Sequence, residues 1–126
     1  MSPQERFSFG KDPIIIRKYV DGLKAGVVLD VTGYNEPYVR CGQVIIRTVV
    51  DGKDYYKPMP VSEGAYASLP ANHEYVGICV ASVETSEPFV AVLTIGEVND
   101  KALPYPIDSI KAAFKAAVPT IVFNHD

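Results

Sequence analysis

The side chains best suited to chemistry are two histidines and two cysteines, and their spacing matches no common catalytic or metal site. His73 lies in the polar segment PANHEY, His125 is close to the C-terminus, and Cys41 and Cys79 lie in apolar runs. A thiolate mechanism would need Cys79 and His73 to meet in space, which the sequence does not indicate. The short ligand spacings of zinc sites are also missing. We predict solvated histidines and buried free thiols, leave a Cys41–Cys79 bond open, and expect no metal and no cofactor.

The carboxylates also give little sign of acid-base chemistry. Glu84 with Glu87 and Asp51 with Asp54 are close pairs, but both fall in predicted turns. A general acid needs surroundings that shift its pKa, and an exposed turn does not supply them. There is no glycine-rich phosphate loop either. We predict that the protein is not an enzyme; a cleft that joins His73 to Cys79, or two carboxylates, is the third hypothesis.

Composition excludes several other classes. The chain has 126 residues, a mass of 13.8 kDa and 48% hydrophobic residues, which fits one globular domain. No run approaches the ~18 apolar residues that a membrane helix needs. The net charge of −3 and the pI near 5.3 argue against a nucleic-acid partner, because such proteins usually present a basic stripe. The polar N-terminus lacks the pattern of a signal peptide.

The N-terminal region divides into two kinds of sequence. Residues 1–13 are polar and contain prolines and a glycine, so we predict a flexible arm. An apolar cluster follows, with residues that favour an extended segment seeking a partner surface. We assign residues 1–25 to an N-terminal arm and 26–126 to a single β-rich domain. The arm residues predicted to make contacts are Ile14, Ile15, Ile16, Tyr19 and Val20.

The rest of the chain predicts a mainly β fold with one C-terminal helix (α+β), as a compact β-sandwich or barrel-like domain. Asp51-Gly52 between VIIRTVV and YYKPMPV predicts a hairpin, and the two prolines of the second arm confine it to a sheet edge. The loop SEGAYASLPANHE is predicted to cross the surface. YVGICVASV and FVAVLTIGEV predict strands at the sheet centre, joined by the turn ETSEP. IDSIKAAFKAAV predicts a helix with Pro106 in its first turn and Pro119 at its end, and TIVF returns to the sheet. The apolar face of this helix is predicted to consist of Ile107, Ile110, Phe114, Ala117 and Val118.

Two further features bear on function. Gly96 is isolated in a strand, where a bulge or a close backbone approach is expected. Tyrosine is frequent in interfaces and sugar-binding surfaces because it joins a flat apolar face to a polar tip. A small β-barrel module that binds a ligand or protein through a tyrosine-rich face is therefore an alternative hypothesis. Its residues would be Tyr34, Tyr38, Tyr55 and Tyr56.

The order of these segments resembles the head decoration proteins of tailed bacteriophages, the lambda-type family. The resemblance spans about Gly26 to Phe123. It rests on YVGICVASV, an acidic turn, VAVLTIGEVNDKAL, a helix and a final TIVF. Its sharpest residues are Val76, Gly77 and Ile78, and the run Gly96, Glu97, Val98 and Asn99.

The resemblance implies a small β-rich homotrimer that sits on an expanded phage or prophage capsid. There it would contact the major capsid protein, cement neighbouring capsomers and stabilise the head. Its location would be the virion, after synthesis in the bacterial cytoplasm. In that family the N-terminal segment becomes ordered on the capsid, because it gains its pairing partners only on binding. The predicted arm of residues 1–25 would have that role here.

Overall fold

The computed structural model describes residues 15–23 and 26–124. These residues form a mainly β domain with one short helix, as predicted. The elements in chain order are β1 (Ile16–Gly22), β2 (Val27–Val28), β3 (Tyr38–Val39), β4 (Val44–Val50), β5 (Lys53–Pro58), β6 (Val61–Ser62), β7 (Ala65–Tyr66), β8 (His73–Cys79), β9 (Val83–Glu84), β10 (Phe89–Val90), β11 (Val92–Val98), α1 (Lys111–Ala117) and β12 (Ile121–Phe123).

The main sheet has the strand order β1-β11-β8-β4-β5, and β12 also pairs with β11. Strand β11 is central to the main sheet because it pairs with three other strands. One edge pairs with β1 along most of its length. The other edge pairs with β8 at Val92 and Leu93 and then with β12, in parallel, from Gly96 to Val98. The C-terminal strand therefore fills the space that opens where β8 and β11 diverge.

The central strands are buried on both faces of the sheet. Neighbouring residues on a strand point to opposite faces, so each strand contributes to two cores. Ile46, Ile78 and Leu93 belong to the larger core, whereas Cys79 and Val92 belong to the smaller one. The predicted central position of the two apolar runs is confirmed.

Shorter elements cover the two faces. The larger core includes Phe114 of α1 and Tyr66 of β7. The smaller core includes Val39 of β3 and Val90 of β10. The domain is thus layered on both sides of its main sheet, and the described sheets do not close into a barrel.

The predicted hairpin at Asp51-Gly52 is confirmed. Val50 pairs with Lys53, and both turn residues have positive φ, as a type I′ turn requires. Strand β5 lies at the sheet edge, in agreement with its prolines. A second turn of this kind joins β6 to β7 through Glu63 and Gly64, both with positive φ. The sequence of that segment predicted a surface loop, whereas the structure has a short hairpin there.

The helix is shorter than predicted. It begins at Lys111, whereas the preceding residues form turns, including one in which the Ile110 N–H donates to the Ile107 carbonyl. The placement of Pro106 in the first helical turn is therefore wrong. The predicted apolar face is largely confirmed, since Ile107, Ile110, Phe114 and Val118 are buried, but Ala117 is exposed.

The structure places residues 16–22 of the predicted arm in the main sheet. Strand β1 pairs antiparallel with β11, so the partner of this extended segment is the chain's own central strand. Ile14 and the polar residues 1–13 lie outside the described residues, as does His125. The division at residue 25 stays a prediction.

Candidate functional site

The first candidate site is the outer edge of β1, the β1 edge. In the described part of the chain, no strand pairs with the side of β1 that faces away from β11. The pairing with β11 is interrupted by register shifts on both sides of Tyr19 and at Asp21. Unpaired backbone groups on an outer strand can accept another strand. The β1 edge is thus a surface able to bind a partner through its backbone.

The predicted contact residues on β1 divide into two groups. Ile15 and Ile16 are half-buried and pack against the larger core. Tyr19 and Val20 are 53% and 54% exposed. Only the second pair is free to contact a partner, whereas the first anchors the strand to its own domain. Exposed apolar residues continue on the adjoining strands, at Ile95 of β11 and Val122 of β12.

The glycines of the resemblance lie where strands approach each other closely. A Cβ atom on Gly77 would lie 2.0 Å from the Leu93 carbonyl oxygen, and one on Gly96 would lie 2.3 Å from the Lys18 carbonyl oxygen. Neither distance is compatible with a real side chain. The expected close approach at Gly96 is confirmed, and it is what allows β1 to lie against β11.

The other resemblance residues hold the end of β11. Val98 is fully buried, and the Asn124 side-chain amide donates to Glu97 Oε2 over 2.6 Å. The Asn99 backbone N–H donates to the Ile15 carbonyl, and its side chain accepts from the Lys101 N–H. Val76 and Ile78 lie in β8. All of these contacts are structural and join β1, β11 and the C-terminal strand.

The predicted absence of a Cys79–His73 pair follows from the strand that carries both residues. They lie at opposite ends of β8, and six residue steps along a strand span about 20 Å. The prediction that His73 is solvated is wrong, because the residue is half-buried: Nδ1 lies 2.8 Å from the Ala71 carbonyl oxygen, and Nε2 is enclosed without a hydrogen-bond partner among the described residues. A direct thiol–imidazole contact is thus excluded.

The two thiols are free, and both are protected from reaction. Cys79 is buried and Cys41 is half-buried. Burial raises the pKa of Cys41 to about 11 and that of Cys79 to about 12, so both stay protonated at neutral pH. Each thiol donates to a nearby backbone carbonyl, of Val80 and Ala81 respectively. The prediction of free thiols is confirmed.

The four tyrosines of the alternative hypothesis differ in their exposure. Tyr55 is 39% exposed on β5, whereas its neighbour Tyr56 packs against the smaller core. Tyr38 is 45% exposed beside the Arg40 guanidinium. The Tyr34 hydroxyl is held by the Tyr38 carbonyl and the Gln43 side chain, and burial raises its pKa to about 12. Tyr34 and Tyr56 thus have a packing role in the smaller core, and a binding module that uses a tyrosine-rich face stays a prediction.

A second candidate site lies beside β5 and is called here the Asp30 pocket. Its volume is about 230 Å³. The loop of residues 30–36 forms one side, and β5 with the prolines that follow it forms another. The residues that line the pocket include Asp30, Glu36, Lys57, Pro58, Pro60 and Pro70. No local sequence pattern indicates this pocket, because its charged residues lie in two separate segments, the loop of residues 30–36 and β5.

The Asp30 carboxylate is ionised and held in place. The Thr32 hydroxyl and backbone N–H donate to it, which lowers the pKa of Asp30. The Asp30 N–H donates to the Tyr56 carbonyl over 2.8 Å, which fixes the loop to β5. Among the described residues, Asp30, Glu36 and Lys57 form no ion pair. Besides the Thr32 hydrogen bonds, the charge of Lys57 lowers the pKa of Asp30, so the pocket presents an Asp30 carboxylate held by Thr32, a second carboxylate at Glu36 and the Lys57 ammonium group.

Other kinds of site are not seen in residues 15–23 and 26–124. This part of the chain has no group of three metal-ligating side chains and no helix long and apolar enough to cross a membrane. The acidic residues Asp51, Asp54, Glu84 and Glu87 are all exposed on turns or short strands. No family model, curated protein or solved structure matches the chain.

Proposed function

We propose that this is a non-catalytic assembly protein, and specifically a head decoration protein of a tailed phage or prophage. It acts as a homotrimer that binds the major capsid protein on the expanded head and stabilises the shell. The observation that carries the proposal is the β1 edge, with its unpaired backbone and its exposed Tyr19 and Val20. The order of segments resembles that of lambda-type decoration proteins, and this resemblance supports the phage head as the assembly that the protein joins.

Strand addition is the mode of binding that suits this edge. A partner strand would complete the hydrogen bonds of β1, and the exposed side chains would be buried at the contact. Each contact alone needs only modest affinity, because a capsid presents the same site many times and a trimer engages several sites at once. Ile15 and Ile16 already pack in the core, so β1 itself is preformed for this binding.

The test has two steps. Light scattering at micromolar concentration gives the mass in solution, and we expect a trimer. Cosedimentation with expanded phage heads that lack their own decoration protein then measures binding to the shell. A protein that stays monomeric and does not sediment with the shells contradicts the proposal.

Two matched variants locate the contact. Val20→Asp introduces a charge at the β1 edge and is expected to weaken shell binding by about tenfold or more, as for an anchor residue of an interface. Val49→Asp is the control because Val49 is equally exposed, at 55%, and lies in β4, away from β1 and next to the β5 edge of the main sheet. Equal binding of the two variants would exclude the β1 edge as the contact surface. Ile15 is unsuitable for this test, because its replacement would also disturb the core.

A further inference from the structure

The Asp30 pocket has a size and a polarity that no assembly role requires. Its volume of about 230 Å³ is below the 300–1,000 Å³ of pockets for drug-sized ligands, and leaves room for roughly one six-membered ring. The pocket lies beside β5, at the other end of the strand order from the β1 edge. A ligand bound there would leave the proposed assembly surface free.

The charged groups of the pocket favour a ligand rich in hydroxyl groups. Asp30 and Glu36 are acceptors, and Lys57 is a donor. Hydroxyl groups can donate to the carboxylates and accept from the ammonium, and such charge-assisted hydrogen bonds are stronger than neutral ones. Two carboxylates against one ammonium disfavour an anion such as phosphate. A cation or a zwitterion would lose more hydration on entry than a neutral ligand would.

The apolar part of the pocket suits the carbon face of a sugar ring. The half-buried Pro60 and Pro70 line it with rigid rings and Val61 adds aliphatic surface, whereas Pro58 and Ile46 are buried behind them. Proline side chains lose almost no entropy when a ligand covers them. The loop that supplies Asp30 is also fixed, by its backbone hydrogen bond to Tyr56. The walls therefore keep their positions when a ligand enters, which lowers the cost of binding.

We propose that the Asp30 pocket binds one neutral hexose-type sugar, either free or as the terminal residue of a glycan. The carboxylates of Asp30 and Glu36 accept from ring hydroxyl groups, Lys57 donates to one, and the prolines contact the C–H face. This would give an assembly protein a second function, the attachment of its carrier to a carbohydrate. The proposal does not depend on the capsid role.

The experiment is an NMR titration of the full-length ¹⁵N-labelled protein with methyl α-glucoside, methyl α-galactoside, methyl α-mannoside and N-acetylglucosamine. We expect at least one sugar to shift the amides of residues 30–36, 57, 59, 61 and 73, with a Kd on the order of a millimolar. Comparing each methyl glycoside with its free sugar distinguishes a terminal glycan residue from a monosaccharide. Shifts with none of the sugars, or shifts outside these segments, overturn the proposal.

A matched pair of variants makes the test specific. Asp30→Asn keeps an oxygen that can accept from the Thr32 N–H but removes the charge, and should weaken sugar binding about tenfold. Asp54→Asn makes the same change on an exposed residue of β5 outside the pocket and should leave the affinity unchanged. Equal effects of the two variants contradict the proposal. So does tighter binding of n-butylamine, glycine or phosphate at the same amides.

Discussion

The two outer strands of the main sheet, β1 and β5, differ in how much of the chain covers them. Strand β5 ends at Pro58, and Leu29 and Asp30 run along its outer side, where the Asp30 N–H donates to Tyr56. Strand β1 has no such cover in the part of the chain that the structure describes. Proteins usually protect outer strands against unwanted pairing, and β1 has only its charged residues and register shifts for this, so the proposed partner would bind at the less covered edge.

The largest expected effect comes from removing a buried aromatic side chain of α1 that packs against β8 and β12. Phe114 is fully buried and its ring packs against Tyr75 of β8 and Phe123 of β12. Phe114→Ala should lower the free energy of unfolding by about 3–5 kcal/mol, because it leaves a cavity. Chemical denaturation measures this loss.

The same variant also sharpens the comparison of the two edges. Strand β12 pairs with β11, which in turn holds β1, so hydrogen exchange should increase in β1 more than in β5. Phe89→Ala is the control, since Phe89 is 57% exposed, and should change stability by less than about 0.5 kcal/mol. A uniform increase in exchange across the sheet would show that the two edges are not independent.

A smaller effect is expected where β1 crosses β11. Gly96→Ala places a methyl group against the Lys18 carbonyl, so β1 must shift outward. We expect a loss of about 1–3 kcal/mol in the free energy of unfolding, as for other overpacked sites. Val122→Ala on the exposed face of β12 is the control and should change little. If Gly96→Ala is as stable as the original chain, the close pairing of β1 is wrong.

Converting the open edge into a protected one should change assembly and hardly affect stability. Val20→Lys adds a charge beside those of Arg17, Lys18 and Asp21 on β1, in place of an exposed apolar side chain. The free energy of unfolding should change by less than about 0.5 kcal/mol because Val20 is half exposed. Light scattering and cosedimentation should show a large loss of shell binding. A loss of stability in proportion to the loss of binding would indicate a folding defect instead.

The smallest effect concerns the cover of β5 and depends on pH. The pKa of Asp30 is lower in the folded protein than that of an ordinary aspartate, because Thr32 donates to the carboxylate. Its contribution to stability is therefore complete above the unfolded pKa and is lost as the pH falls through the lower folded pKa. Unfolding curves of Asp30→Asn and the original chain should differ at pH 7 and converge in acid, once the pH is below the folded pKa of Asp30. A difference that persists in acid would assign the effect to shape and not to charge.

The elements that were predicted correctly are those that local sequence determines. Asp51-Gly52 supplies the positive φ of a tight hairpin, and the runs in β8 and β11 contain the β-branched residues of buried strands. The start of α1 was missed because Pro106 satisfies the sequence rule for a first turn, whereas the chain makes separate turns up to Ile110. The turn at Glu63-Gly64 was missed because its flanking strands have only two residues each.

The sites were harder to predict because both depend on long-range pairing. The apolar residues near Ile16 indicated an extended segment that needs a partner, but nothing local identifies β11 as that partner. The division of this segment into anchored and exposed residues follows only from the register. The Asp30 pocket joins the loop of residues 30–36 to Lys57, and each residue alone is an ordinary surface charge. Only the folded chain brings these residues together, so no local sequence pattern indicates the pocket.

The pairing of β11 also has a consequence for how the protein folds. Ile16 and Phe123, from opposite ends of the described chain, both pair with Val98. The central strand therefore has its full set of neighbours only when nearly the whole chain is available. Folding should be slow for a chain of this size, on the order of milliseconds to seconds, since such distant contacts form late. During synthesis the sheet would remain incomplete until residues 121–123 leave the ribosome.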